Sequence, residues 1–362
     1  MKKITSIFLI TLIFFASCNE NDHKTTTDTP TNFDNQKMRA NIVDDIIIPS
    51  VTSFREEATI LHEKITLFVA APSIENLDEA QLQWKKTATA YGYVYAFNIG
   101  TVKDNFMHLK LYNWPTYTNA IENRINGNTE LNEETIAKIS TPSKGISSIE
   151  YLLFNSPNND IIQNFATEKR KQYLSLIAKE LQTNAEKLVN IWDRNGDNYA
   201  TAFIQNKEEG LASSLNLLFN GLYNTADTVK KAKLGKPGGL ENSSNTSPEN
   251  LQAPFSKISK ELILANIKSI ERTFYNSDGL GISDKITAIT GDTVLADALQ
   301  KQLTNTQNAL LAIDGDIYTA INTQKEAVSK AHKEITALVI MLSNDVRSIL
   351  SIIITPTDND GD

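Results

Sequence analysis

From residue 36 onward the apolar positions recur at three- and four-residue steps, the spacing of helices that bury one face. The run "MRANIVDDIIIPSVTSFREEATILHEKITLFVAA" predicts a long helix with a kink at Pro49. "NLDEAQLQWKKTATAYGYVYAFNIG" predicts a second, with Trp84, Tyr91, Tyr95 and Phe97 on or beside one stripe. A shorter helix is expected from Trp114-Pro115 through Ile125, because proline is tolerated in a first turn. "NDIIQNFATEKRKQYLSLIAKELQTNAEKLVNIWD" predicts one helix of about 35 residues, about 50 Å long. Another is expected over Glu208 to Lys233. Beyond it the period resumes over 256–276, 292–323 and 325–353, with a short turn near Ile282–Ile289. No run alternates with the period of two that marks strands, so the pattern predicts an all-α fold.

Two stretches break the pattern. "KLGKPGGLENSSNTSPENLQAP", Lys233 to Pro254, gathers glycine, proline, serine and asparagine and reads as a boundary between two helical bundles. The expected units are a bundle over 36–234, a linker over 235–254, a second bundle over 255–354 and a disordered tail over 355–362. Ala-Asn-Ile occurs at 40–42 and again at 265–267, a small hint of duplication. The other break is at the start. "MKKITSIFLITLIFFASC" has two lysines, an apolar run and small residues before a cysteine, the anatomy of a secretory signal over 1–17. Its end, Phe15-Ala16-Ser17-Cys18, is similar to a bacterial lipobox, which implies cleavage before Cys18 and lipidation of it. Residues 18–35 are polar and threonine-rich, too poor in apolar side chains to offset ordering entropy, and read as a tether. An ordinary signal peptide with an incidental Cys18 is the alternative.

Charge narrows the partners. The formal net charge is −8, and loss of Lys2 and Lys3 with the signal makes the body more acidic still. An acidic body argues against nucleic acid and against a polybasic grip on anionic lipid. The most apolar later segment, "ITALVIMLSNDVRSILSIIIT", carries Asp345 and Arg347 in its middle and suits a buried bundle helix. Cys18 is the only cysteine, so disulfides within one chain are excluded.

Candidate chemistry is sparse. The four histidines, His23, His62, His108 and His332, show no spacing that pairs them on one metal, and neither His-Glu-x-x-His nor Gly-x-Ser-x-Gly occurs. Asp193–Asn198 begins like a calcium loop but lacks the closing glutamate and reads as a turn between helices; Asp314-Gly-Asp316 and the tail "DNDGD" lack the later ligands too, and the tail reads as solvated. Glu150, in "GISSIEYLLF", is set among apolar residues with Ser147 three positions earlier on the same helical face. A buried carboxylate needs a partner. Either a lysine or arginine pairs with it, or it lines a ligand cleft. Trp84, Tyr91, Tyr95 and Trp114 are candidates to line a pocket for a planar ligand such as haem, or are simply core.

An ordered set of segments resembles the imelysin family: "NIVDDIIIPSVTSF", "LQWKKTATAYGYVYAFNIG", "NWP", "KGISSIEYLLF", "LGKPGG" and "FSKISKELILANIKSI". The resemblance implies an all-α fold of two bundle-like halves related by duplication, with a site in the cleft between them. It implies a cell-envelope protein, many relatives of which serve iron uptake. The family motif Gly-x-His-x-x-Glu falls on Gly145, Ser147 and Glu150, so Ser147 stands where the family has histidine. The motif implies a site at Ser147 and Glu150, with Glu150 as metal ligand; with Trp84, Tyr95 and Trp114 from the aromatic stripe added, the expected ligand-binding set would take iron, haem or another divalent cation. Implied partners are the membrane, through lipidated Cys18, and envelope transport proteins. Two other activities fit the same resemblance: a zinc-dependent peptidase, weakened by the missing histidine, and a docking lipoprotein with no ligand.

Overall fold

The computed structural model describes residues 33–355; the signal, Cys18, most of the tether and the last seven residues lie outside that range. Among the described residues every regular element is helical. The principal helices are α1 (Ile48–Ala70), α2 (Ile74–Val94), α3 (Gly145–Phe154), α4 (Glu168–Trp192), α5 (Ser214–Thr228), α6 (Ser259–Phe274), α7 (Val294–Leu311) and α8 (Lys325–Met341). None is long and apolar enough to cross a membrane. The described residues form one compact unit.

α1 packs on both α2 and α4, α7 packs on α8, and α6 joins the two groups by lying along α2 and against α7. In α1 the buried set Val51, Phe54, Ala58, Leu61, Ile65 and Phe68 follows the helical period that the sequence displays. Ser73 caps α2 by accepting the amide of Asn76, and Leu77, Ala80, Trp84, Ala88 and Tyr91 form its buried stripe. The α2–α6 approach depends on Gly92. A Cβ there would stand 2.8 Å from that of Ala265, so only glycine lets the two backbones come this close.

Local departures from the pattern have local causes. The chain before Pro49 runs as a π-helical stretch, Ile42–Ile47, and Pro49 sits in the first turn of α1. The helix expected from Trp114-Pro115 starts instead at Thr118, because the Tyr117 amide bonds to the Pro142 carbonyl. The expected 35-residue helix is two, Asn158–Asn164 and α4. Between them Phe165 turns inward, fully buried, to meet Phe68 with ring centroids 4.9 Å apart. The helix expected over Glu208–Lys233 narrows to α5 followed by a π-helical stretch, Val229–Gly235. Within the glycine- and serine-rich stretch that follows, Leu251, Gln252 and Ala253 are buried against the body.

Candidate functional site

α3 starts where only glycine fits. Gly145 has φ +73, and a Cβ on it would lie 2.6 Å from the Leu111 carbonyl oxygen. Lys144, just before it, is buried, and its amine closes the end of the helix Glu133–Ala137 by donating to the Ile136 and Ala137 carbonyls at 3.2 and 2.9 Å. It also pairs with Glu180 at 2.7 Å. α3 is therefore fixed in place and in rotation.

That rotation buries Ser147 and Glu150 completely. Ser147 donates to the Asn113 carbonyl at 2.5 Å. Glu150 points at the segment that leads into α6. Its Oε1 accepts three donors: the Phe255 amide at 3.1 Å, the Ser256 amide at 2.8 Å and the Ser256 hydroxyl at 2.8 Å. Its Oε2 is buried and has no hydrogen-bond partner among the described residues. Burial pushes the carboxyl up to about 8, against the three donors, which favour the charged form. Among the described residues no lysine or arginine pairs with it, so the structural ion pair that the sequence allowed is not what holds it there. The ring of Tyr151, next in α3, meets that of Phe255 at 5.4 Å, and Tyr112 donates to the Gln252 carbonyl at 3.1 Å. Residues 252–256 thus form a strap held to α3 and to Tyr112.

The aromatic candidates divide. Trp84 is core: it is fully buried, its Nε1 donates to the Ile146 carbonyl at 2.9 Å, and its ring packs on Phe154 at 5.3 Å. Tyr91, Tyr95, Tyr112 and Trp114 form a separate cluster of tilted and edge-on rings that reaches the strap at Tyr112, with neighbouring centroids 5.9–6.4 Å apart. Their faces are already used. The ammonium of Lys233 stands 4.0 Å from the Tyr95 ring centre and 5.3 Å from that of Trp114, and donates to Asn266 Oδ1 at 2.6 Å. Asn266 in turn donates to the Gly92 carbonyl at 2.7 Å, linking α6 to α2. A haem-sized plane would have to displace these rings and Lys233 together.

Sequence reasoning missed Lys233, which is 1% exposed. Burial pulls its amine down to about 7 and Tyr95 up to about 12, a hydrogen bond with Thr228 working against the latter. The signal was present: Lys233 follows Val229 by four on an otherwise buried face. Ser256 and Gln252 carry no comparable signal.

The remaining candidates resolve into structure. Asp193 and Asp197 accept from the Asn195 amide and the Asn190 side chain, shaping a turn, and Asp316 caps the helix Ile317–Thr323. His332 bonds to Glu241 at 2.9 Å, and Lys230 meets the same carboxylate at 2.7 Å. Among the described residues no three His, Cys, Asp or Glu side chains converge on a point that could hold a metal. A catalytic zinc takes three such protein ligands, so the residues around Glu150 do not fit one. A surface groove of about 630 Å³ lies away from all of this, between Val294–Ala298 and Met341–Ile349.

The imelysin family model (peptidase family M75) matches residues 47–344. The chain belongs to the imelysin family. It is 22% identical over 230 residues to the iron-regulated protein A of Synechococcus elongatus, covering 62% of this chain and 58% of that relative's length. The crystal structure of an imelysin-like protein from Psychrobacter arcticum 273-4 superposes with a TM-score of 0.73 at 18% identity, over 90% of this chain and 99% of that one. That of an iron-regulated protein A precursor from Parabacteroides distasonis ATCC 8503 gives 0.72 at 18% identity, over 87% and 94%. The all-α fold read from periodicity is the fold of these imelysin-like proteins.

Proposed function

We propose that this imelysin-family chain is a non-enzymatic binding component of iron acquisition, held at the cell envelope through Cys18. Its ligand would be taken where Glu150 meets the strap 252–256. The observation that carries this is Glu150 itself: a fully buried carboxyl with three donors on one oxygen and, among the described residues, no donor on the other and no basic partner. Burial holds this carboxyl largely in its neutral form near pH 7, and a bound cation would favour its ionised form. The iron-regulated name of two relatives supports iron as that cargo. Haem is disfavoured by the occupied aromatic faces, and a zinc-peptidase mechanism by the absence of an imidazole at Ser147.

Calorimetric titration of the full chain with ferric citrate tests the reading. Saturable binding that is lost in Glu150→Gln is expected. No binding, together with a protein captured by the folded chain, would establish the docking-lipoprotein reading instead.

A further inference from the structure

The segment "ITALVIMLSNDVRSILSIIIT" is not the uninterrupted buried helix that its apolar run suggests. α8 ends at Met341, and the chain continues as a π-helical stretch, Leu342–Val346, and a short helix, Arg347–Leu350. Such wide turns are frequent at functional sites. Leu342 and Val346 stay in the core, while Asp345 and Arg347 stand exposed and line the groove of about 630 Å³ against the start of α7. Val294, Leu295 and Ala298 form one wall of that groove, and Met341 and Ile349 supply the apolar part of the other. Val294 is 72% exposed, the most exposed large apolar side chain among the described residues. Ala298, one turn further along α7, is small enough to leave a hollow beside it.

The polar groups of the groove divide into the satisfied and the unsatisfied. Ser343 donates to the Ile340 carbonyl at 3.1 Å and Ser348 to that of Asn344 at 2.6 Å, so both hydroxyls are turned back on their own backbone. The Arg347 Nε donates to the Ile352 carbonyl at 3.1 Å. Among the described residues neither the Arg347 guanidinium nor the Asp345 carboxylate forms an ion pair. One acid and one base therefore stand two positions apart beside an exposed apolar knob and a hollow.

We propose that this groove is the contact surface for a second copy of the chain, seated about a two-fold axis. An isologous contact needs one patch to carry both halves of every interaction, and this patch does. Val294 of one copy fits the hollow at Ala298 of the other, and Asp345 of one meets Arg347 of the other, each pair twice. An acyl chain would leave both charges facing hydrocarbon. A partner segment of one charge sign would satisfy one side chain and repel the other. The proposal is independent of the Glu150 reading, since the groove lies apart from that place.

Sedimentation equilibrium of the full chain, in density-matched detergent that keeps an acylated end from associating on its own, should show a monomer–dimer equilibrium. Val294→Glu should weaken it by about tenfold or more, because a charge would enter the apolar contact. Asp345→Arg and Arg347→Asp should each weaken it by about tenfold or more, because each sets like charges against one another. The double change Asp345→Arg with Arg347→Asp should return to within about threefold of wild type, since the two substitutions are coupled through one contact. That recovery separates self-association from docking of a different protein, whose own charges would stay unswapped. Circular dichroism would check that each variant is folded. Wild type monomeric at every concentration would overturn the proposal, including where a different protein is captured on the groove. A dimer indifferent to Val294→Glu would place the contact elsewhere and overturn it as well. Folded single variants that both weaken the dimer, with no recovery in the double, would overturn the two-fold pairing.

Discussion

Ser256 gives Glu150 both of its donors, the amide and the hydroxyl, each 2.8 Å from the same carboxylate oxygen. The two residues lie 106 positions apart, so this contact is one of the ties between the N-terminal helices and the segment that opens α6. Cutting it strands donors rather than merely deleting a bond. Glu150→Ala is expected to lower stability by about 2–4 kcal/mol, because the Phe255 and Ser256 amides lose their acceptor in a buried place. Glu150→Gln keeps an acceptor oxygen and should cost roughly half as much or less. Urea denaturation of the three proteins checks the order; equal losses would show that the amides find other partners.

Two buried groups make stability depend on pH in opposite senses. Glu150 is raised from an ordinary 4.5 to about 8, so the folded chain holds its proton more tightly than the unfolded one. Its contribution is full below about 4.5 and is lost as pH rises to about 8. Lys233 is lowered from 10.5 to about 7, so its contribution is full above about 10.5 and is lost as pH falls to about 7. Each arm has a limiting slope of about 1.4 kcal/mol per pH unit. Subtracting a variant's stability curve from that of wild type isolates each arm: Glu150→Gln should remove the acid-side one and Lys233→Met the alkaline one. Superimposable curves would contradict both assignments.

Ser147→His would rebuild the motif of the imelysin family. The imidazole would stand one turn from Glu150 on the same face of α3, a spacing from which both reach a single ion. Ser147 is fully buried and bonded to Asn113, so the larger ring is expected to cost about 1–3 kcal/mol through overpacking. Cobalt(II) titration followed by visible absorption should show tighter binding than wild type even as the melting temperature falls. A melting penalty with no gain in affinity would mean that the ring turns away from the carboxylate.

Gly92→Ala tests the seam between α2 and α6. The added methyl would meet the Ala265 Cβ at 2.8 Å, and relief requires the helices to part. A loss of about 1–3 kcal/mol is expected. Because Asn266 reaches the Gly92 carbonyl from the same seam, amide exchange should quicken along α6. The double change Gly92→Ala with Ala265→Gly should recover much of the loss.

Periodicity carried most of the fold, because helices that bury one face must repeat apolar residues at that spacing whatever lies opposite. It failed at Phe165, where a single ring rotates inward to meet Phe68 and ends a helix that the local pattern would continue. Glu150 was legible for the same reason that Lys233 should have been: each is an ionisable group on an apolar face. Ser256 and Gln252 were not legible. Their importance comes from what they meet across the fold, and nothing in a serine- and asparagine-rich stretch marks one polar residue above its neighbours.

A synthetic decapeptide spanning 145–154 would contain every letter of the family motif as this chain spells it. It would contain none of what gives that motif its chemistry. The amides that grip Glu150 come from 105 and 106 positions downstream, the carbonyl that takes Ser147 from 34 upstream, and the turn at Gly145 is dictated by the backbone of Leu111. Grafting the decapeptide onto another scaffold would therefore transplant a spelling without its meaning; the smallest portable unit is α3 together with residues 111–113 and 252–256.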